Sequence, residues 1–221
     1  MLLGACSAFN PGQLNEFLEQ FKETMREGDT NLDIPSLDPF EYEHVDIEEG
    51  ERKLFSADGH LKKLRIEGLS NYKVKQADFT IVGLKAKVVL LFRKIQIWTR
   101  YNMSGTLLDE ISFEGRGISS LCIKKLELTV DLQLEVNEGG LRVSNLECQT
   151  GIKELDCRIS ELYVDEELCE DISQIISDEA PDFLEDHQYL ISRYVNKHVR
   201  NVINDILKNY KLKDLLTMIS G

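Results

Sequence analysis

The chain has 221 residues, 42 % of them hydrophobic, and carries 39 acidic against 26 basic residues, a net charge of −13. That length and apolar share support a packed core and exclude a disordered chain, while the acidity argues against nucleic acid or an anionic membrane as the main partner. No apolar run is long enough to span a bilayer; the most continuous is VVLLF at 88–92.

The opening MLLGACSAF resembles the tail of a secretory signal peptide, with small residues Ala5, Cys6, Ser7 and Ala8 suited to cleavage after Ser7 or Ala8. Residues 1–8 are therefore expected to be a signal remnant and 9–221 a single domain. Residues 13–27 place Leu14, Phe17, Leu18, Phe21 and Met25 at spacings of three and four, one apolar stripe on a short helix that Gly28 stops. IPSLDPF follows at 34–40. Its prolines fix their own φ and push their predecessors into extended geometry, predicting a semi-rigid strap with Leu37 and Phe40 free to pin it. Asp38 is placed to cap a turn through backbone amides.

From Leu61 to about Val164 the period changes to two. The runs LKKLRIEGL, YKVKQADFTIVGL, KAKVVLLF, KIQIWTRYNM, GTLLDEISFEG, LELTVDLQLEV, GLRVSNLEC and ELDCRISELYV read as strands, several separated by glycines. Such a series implies an antiparallel meander. In LELTVDLQLEV, Leu126, Leu128, Val130, Leu132, Leu134 and Val136 share one face and charged or polar residues the other. In KIQIWTRYNM the buried face takes Ile95, Ile97, Tyr101 and Met103, and Trp98 and Asn102 point outward. Asn102 opens an Asn-Met-Ser glycosylation sequon, usable in a secreted chain.

The segment from about Asp182 to Leu216 has helical period, with Pro181 at its first turn. Its apolar surface, including Leu184, Ile191, Val195, His198, Val202 and Ile206, is too broad for a flat sheet to cover but suits a curled one. The predicted architecture is α+β: a short N-terminal helix, then a highly curved antiparallel sheet wrapped around a long C-terminal helix.

Four cysteines, Cys122, Cys148, Cys157 and Cys169, follow Cys6 of the expected leader, without metal-type spacing. They are disulfide candidates: Cys148 with Cys157 across a hairpin, or Cys157 with Cys169. GRGISS at 115–120 lacks the third glycine and βαβ setting of a dinucleotide fingerprint, and no GxSxG elbow occurs. The four histidines share no metal or triad spacing. DEELCED at 165–171 lacks the spacing of a calcium loop and reads as a solvated helix start. Lys62-Lys63 and Lys124-Lys125 read as strand ends. No catalytic residue, metal or cofactor is expected.

IPSLDPF resembles the Ile-Pro-x-Leu-Asp-Pro-hydrophobic signature of the insect takeout and juvenile-hormone-binding-protein family. LRIEGLSNYKV at 64–74, YNMSGTLL at 101–108 and EGRGISSL at 114–121 are similar to that family's segments in the same order, and the resemblance spans roughly residues 12–216. It implies a TULIP-like fold, shared with the group 7 mite allergens, and an extracellular carrier of small lipophilic ligands. The family's cysteine pair near the N-terminal helix is missing, since residues 9–50 hold no cysteine. The expected ligand contacts are Ile95, Ile97, Tyr101, Met103, Leu128, Val130 and Leu132 on the sheet with Val195, His198 and Val202 on the helix, Tyr101 and His198 orienting a polar group. The competing expectation is a secreted interaction protein of the same fold with a filled core, presenting Trp98 and an acidic exterior to a protein partner.

Overall fold

The computed structural model describes residues 12–30, 34–48, 55–107, 111–137, 140–161, 166–207, 211–213 and 217. The expected leader at 1–8 and the last turns of the expected helix, toward Leu216, lie outside or at the margin of these residues.

Helix α1 (Gln13–Glu27) forms where the apolar stripe predicts it, and Gly28 ends it at φ 77°, its N–H donating to the Thr24 carbonyl at 2.7 Å. The strap folds back at once. Leu37 N–H and Asp38 N–H both donate to the Met25 carbonyl, at 2.7 and 2.9 Å, and the Ser36 hydroxyl donates to the Arg26 carbonyl at 2.8 Å. The Asp38–Pro39 peptide is cis. Strand β1 (Phe40–Glu48) begins directly after it, where the local pattern predicts only the end of the strap.

Strands β2 (Phe55–Glu67), β3 (Tyr72–Thr80), β4 (Lys85–Leu107), β5 (Ile111–Asn137), β6 (Gly140–Gly151) and β7 (Glu154–Ile159) complete an antiparallel sheet. Its spine is the β4–β5 pair, whose partners run from Lys85↔Gln133 to Leu107↔Ile111. At 23 and 27 residues these strands far exceed the usual length of about 3–10, and the inherent twist of so long a ribbon makes it curl. β2 and β3 lie end to end along one side of β4; β6 and β7 lie end to end along one side of β5. β1 adds to β2 and is an outer edge of the sheet.

Several expected strands are thus fused. KAKVVLLF and KIQIWTRYNM are both β4, while GTLLDEISFEG is divided between β4 and β5. The basic pairs are bulges rather than strand ends. Lys63 and Lys125 have φ of 52° and 54°, and the β2–β4 register shifts between Lys62 and Arg65. Arg93 and Lys94 are likewise exposed one after the other, so the buried positions of β4 pass from Phe92 to Ile95 without leaving the inner face. Gly117 marks a close approach rather than a turn: a Cβ there would collide with the Ser160 carbonyl.

The C-terminal helix starts sixteen residues earlier than its apolar stripe suggests. Helix α2 (Glu166–Asp186) begins within the acidic cluster and contains Pro181 in its interior; helix α3 (Gln188–Leu207) follows after a turn at His187. α2 packs on β7 and α3 on β6. An interior proline costs a helix about 3 kcal/mol, which this packing offsets.

The helices also complete the free edge of β6 and β7. Val143 N–H donates to Asn204 Oδ1 and Cys148 N–H to Asn196 Oδ1, both at 2.7 Å. Cys157 N–H donates to Ser177 Oγ at 2.8 Å and Ile159 N–H to Ser173 Oγ at 3.0 Å. A row of side chains spaced by whole turns thus stands in for a missing strand.

This topology corrects the expected cysteine pairing. No hairpin joins β6 to β7, because both run antiparallel to β5 one after the other. Cys148 is opposite Val130 and Cys157 opposite Leu121. Nine residues of β5 put them about 30 Å apart, whereas a disulfide needs Cα atoms about 4.4–6.8 Å apart. Cys157 meets Ser177, two turns of α2 beyond Cys169, so the alternative pairing is also not made. Cys122, Cys148, Cys157 and Cys169 are free thiols.

Candidate functional site

The inner face of the sheet is built from cross-strand pairs of apolar side chains. Along β4 and β5 these are Leu90 with Leu128, Val88 with Val130, Ala86 with Leu132, Ile95 with Ile123, and Ile97 with Leu121. Alternation puts them on one side because successive side chains of a strand point to opposite faces. Arg100 and Asn102, on the other side, are exposed as expected, but Trp98 is half-buried, opposite Arg65 and Ser120.

The inner face is closed by helices in patches. At one end Leu207 of α3 joins Leu134, Leu141, Val143, Leu146 and Cys148, with Ile203 packed against them. At the other end Cys169 and Ile172 of α2 cover Tyr101, Met103, Leu61 and Ile159. In the middle Tyr72, Phe92 and Ile95 form a third cluster, under Leu18 and Met25 of α1. Ile97 and Leu128 pack against the middle cluster, Met103 against the one around Tyr101, and Leu128, Val130 and Leu132 against the one around Leu134; with Leu121 they face inward and stay half-buried. These inward side chains thus keep part of their surface accessible beside the clusters.

Among the expected ligand contacts, the sheet residues share this face. Ile95 and Tyr101 are buried, at 4 % and 7 % exposure, and Ile97, Met103, Leu128, Val130 and Leu132 are the half-buried ones. The side chains of Val195, His198 and Val202 lie outside the described residues, although α3 carries all of them.

The Tyr101 hydroxyl is engaged: it donates to the Ser160 carbonyl at 2.6 Å. Burial, with Cys169 and Glu161 nearby, pushes its pKa up to about 12, so it stays protonated and can only donate that bond or accept another. Tyr72 donates to the Leu18 carbonyl at 2.5 Å, which ties α1 to β3, and burial pushes its pKa to about 12 as well. Burial also raises Cys148, and burial followed by the Asp156 charge raises Cys157 to about 11. These are inert thiols that pack like small apolar groups.

Two polar features carry no local sequence signature, because each depends on which strand lies beside which. Thr99 and Ser119 form a cross-strand pair on the inner face, with Ile159 of β7 next in the row. The Asn196, Asn204, Ser173 and Ser177 row clips the helices to the sheet edge.

Outside the apolar face, a polar surface hollow of about 300 Å³ lies between α1 and β3, lined by Glu19, Lys22, Asn71, Tyr72, Lys73 and Arg93. Its open, charged lining is unlike a site for an apolar molecule. No group of metal-binding side chains occurs among the described residues, and no described helix is long and apolar enough to cross a membrane.

A family model described as haemolymph juvenile hormone binding protein (JHBP) matches residues 7–217 of the chain. Among solved structures, Takeout 1 of Epiphyas postvittana superposes with a TM-score of 0.72 over 93 % of this chain and 95 % of that one, at 11 % identity. A lipopolysaccharide binding protein aligns with 85 % of this chain and 38 % of its own at 16 % identity, with a TM-score of only 0.33. No curated protein matches in sequence.

Proposed function

Because the chain belongs to the haemolymph juvenile hormone binding protein family, we propose that it works as a non-catalytic, extracellular carrier which seats a small hydrophobic molecule on the inner face of its sheet. The observation that carries this reading is the half-buried state of Ile97, Leu121, Leu128, Val130 and Leu132 on a face shielded from solvent at both ends by helices. A filled interior would bury such residues, since protein cores pack as densely as organic crystals. A terpenoid, acyl chain or similar lipid laid along them gains about 25 cal/mol for each Å² of apolar surface removed from water. Secretion agrees with the leader-like residues 1–8, and Asn102, exposed on the outer face of β4, is then a glycan acceptor. A protein receptor that accepts the loaded carrier is compatible with the acidic exterior. The surface-interaction alternative loses its main support, because Trp98 is half-buried rather than freely presented.

The test is native mass spectrometry of protein secreted from insect cells, followed by extraction of any bound molecule. A stoichiometric apolar adduct is the expected result; an apo mass that persists after incubation with terpenoids and fatty acids overturns it. Val130→Trp locates the site. Projecting from the inner face, the indole should weaken binding by about tenfold or more, an energy of about 1.4 kcal/mol or more, while Tm moves by only a few degrees. Binding lost only in proportion to folding would show that Val130 belongs to a packed core.

A further inference from the structure

The inner face is apolar along most of β4 and β5, and the exception is Thr99 with Ser119. The pair lies between the cluster around Tyr101 and Cys169 and the cluster around Phe92 and Ile95. Thr99 is 9 % exposed, and its hydroxyl is held at 3.2 Å from both the Lys62 and the Arg100 carbonyls. Those carbonyls stand where the Lys62–Lys63 bulge interrupts the β2–β4 ladder. Ser119 differs. It is half-buried and points inward beside Thr99, and its hydroxyl has no hydrogen-bond partner among the described residues. No described side-chain oxygen is both buried and unpaired, so the Ser119 hydroxyl is open to water, and a guest that displaces this water must replace its hydrogen bond.

The surroundings restrict what that guest can carry. Inward neighbours of the pair are Ile97 and Tyr101 on β4, Leu121 on β5 and Ile159 on β7. The nearby cations Lys62, Lys63 and Arg100 are exposed. Tyr101 is neutral, and its proton is already donated to Ser160. A carboxylate brought here would lose its hydration with no opposing charge among the described inward neighbours, a cost far above that for a neutral oxygen. An alcohol, ester or ether needs only one donor or acceptor, and Ser119 offers both.

We propose that Ser119, backed by Thr99, is a specificity-determining contact of the interior, selecting apolar ligands that bear a neutral oxygen function over those ending in a carboxylate. The proposal rests on the carrier reading above and gives its ligand a chemistry. Ser119→Ala removes the hydroxyl without adding volume. Ser120→Ala, the adjacent residue paired with Trp98 on the outer face, is the control.

Displacement of a fluorescent apolar probe by dodecane, 1-dodecanol, methyl dodecanoate and dodecanoate at neutral pH separates the outcomes. The wild type should take the alcohol and ester at least about tenfold ahead of the carboxylate. Ser119→Ala should weaken those two by roughly three- to tenfold, the worth of one hydrogen bond, and leave dodecane unchanged, while Ser120→Ala should change none. Dodecanoate binding tightest, or Ser119→Ala weakening every probe equally or none, overturns the proposal while leaving the carrier reading intact. If nothing displaces the probe, or the probe itself does not bind, the carrier reading falls and this proposal with it.

Discussion

Asp38→Ala should lower the stability of the folded chain by about 3 kcal/mol, measured by urea denaturation at neutral pH. The Asp38 carboxylate accepts hydrogen bonds from Gly68 N–H at 2.9 Å, Ser70 N–H at 2.7 Å and the Ser70 hydroxyl at 2.6 Å. It thereby gathers the strap, the β2–β3 turn and, through the Arg26 Nε donation to Ser70 Oγ at 3.1 Å, the end of α1. Truncation leaves two amides of a tight turn without their acceptor. Asp38→Asn keeps one accepting oxygen at this position and should lose roughly half as much.

The same contact fixes a pH dependence. Partial burial pushes the Asp38 pKa up, but the Ser70 and Gly68 hydrogen bonds and the Arg26 charge outweigh it and leave the value below the usual 3.8. A depressed carboxylate pKa means the unfolded chain binds the proton more readily. The contribution is therefore complete above the unfolded value and fades as pH falls through the folded one. The stability gap between wild type and Asp38→Asn should narrow below about pH 4; a gap constant down to about pH 2 would show that the carboxylate charge contributes nothing.

The second large effect is expected at the helix–edge clip. Replacing both Asn196 and Asn204 with alanine strands the Cys148 and Val143 amides, each at a cost of about 1–3 kcal/mol. The two sites are two turns, or about 12 Å, apart, so the losses should add. In a domain of this size that is a fall in Tm of roughly 5–20 °C. Aspartate at both positions retains the accepting oxygen and should recover most of it. A double alanine variant as stable as the wild type would show that helix packing alone holds the edge.

Much of this architecture was legible because it is written in local periodicity. The stripe of Leu14, Leu18 and Met25 predicts α1, and the alternation from Leu126 to Val136 predicts the inner face of β5. Asp38 was readable as a cap, though not the distant turn it caps. What stayed hidden depends on distant partners. β1 looks like the tail of a strap because its alternation is weak and charged, and it is β2 that makes it a strand. Pro181 reads as a helix start because local rules put proline there, whereas α2 carries it through on the strength of its contact with β7. The Cys148–Cys157 hairpin follows from sequence proximity, and the shared use of β5 by β6 and β7 removes it. Ser119 looks like one more polar strand residue until Thr99 and Ile159 fix its face.

Among the described residues, β1 leaves one rim of the sheet without a neighbouring strand. Its backbone is a template onto which a second molecule's strand could add, and such end-on growth is how extended sheets polymerise. Glu41, Glu43 and Asp46 stand exposed along that rim. Two copies approaching rim to rim would bring like charges together, on molecules that each carry −13 overall. At high concentration these acids oppose strand-to-strand pairing between copies along this rim. Neutralising them with glutamine and asparagine should appear first as turbidity at high concentration, with the dilute protein unaffected.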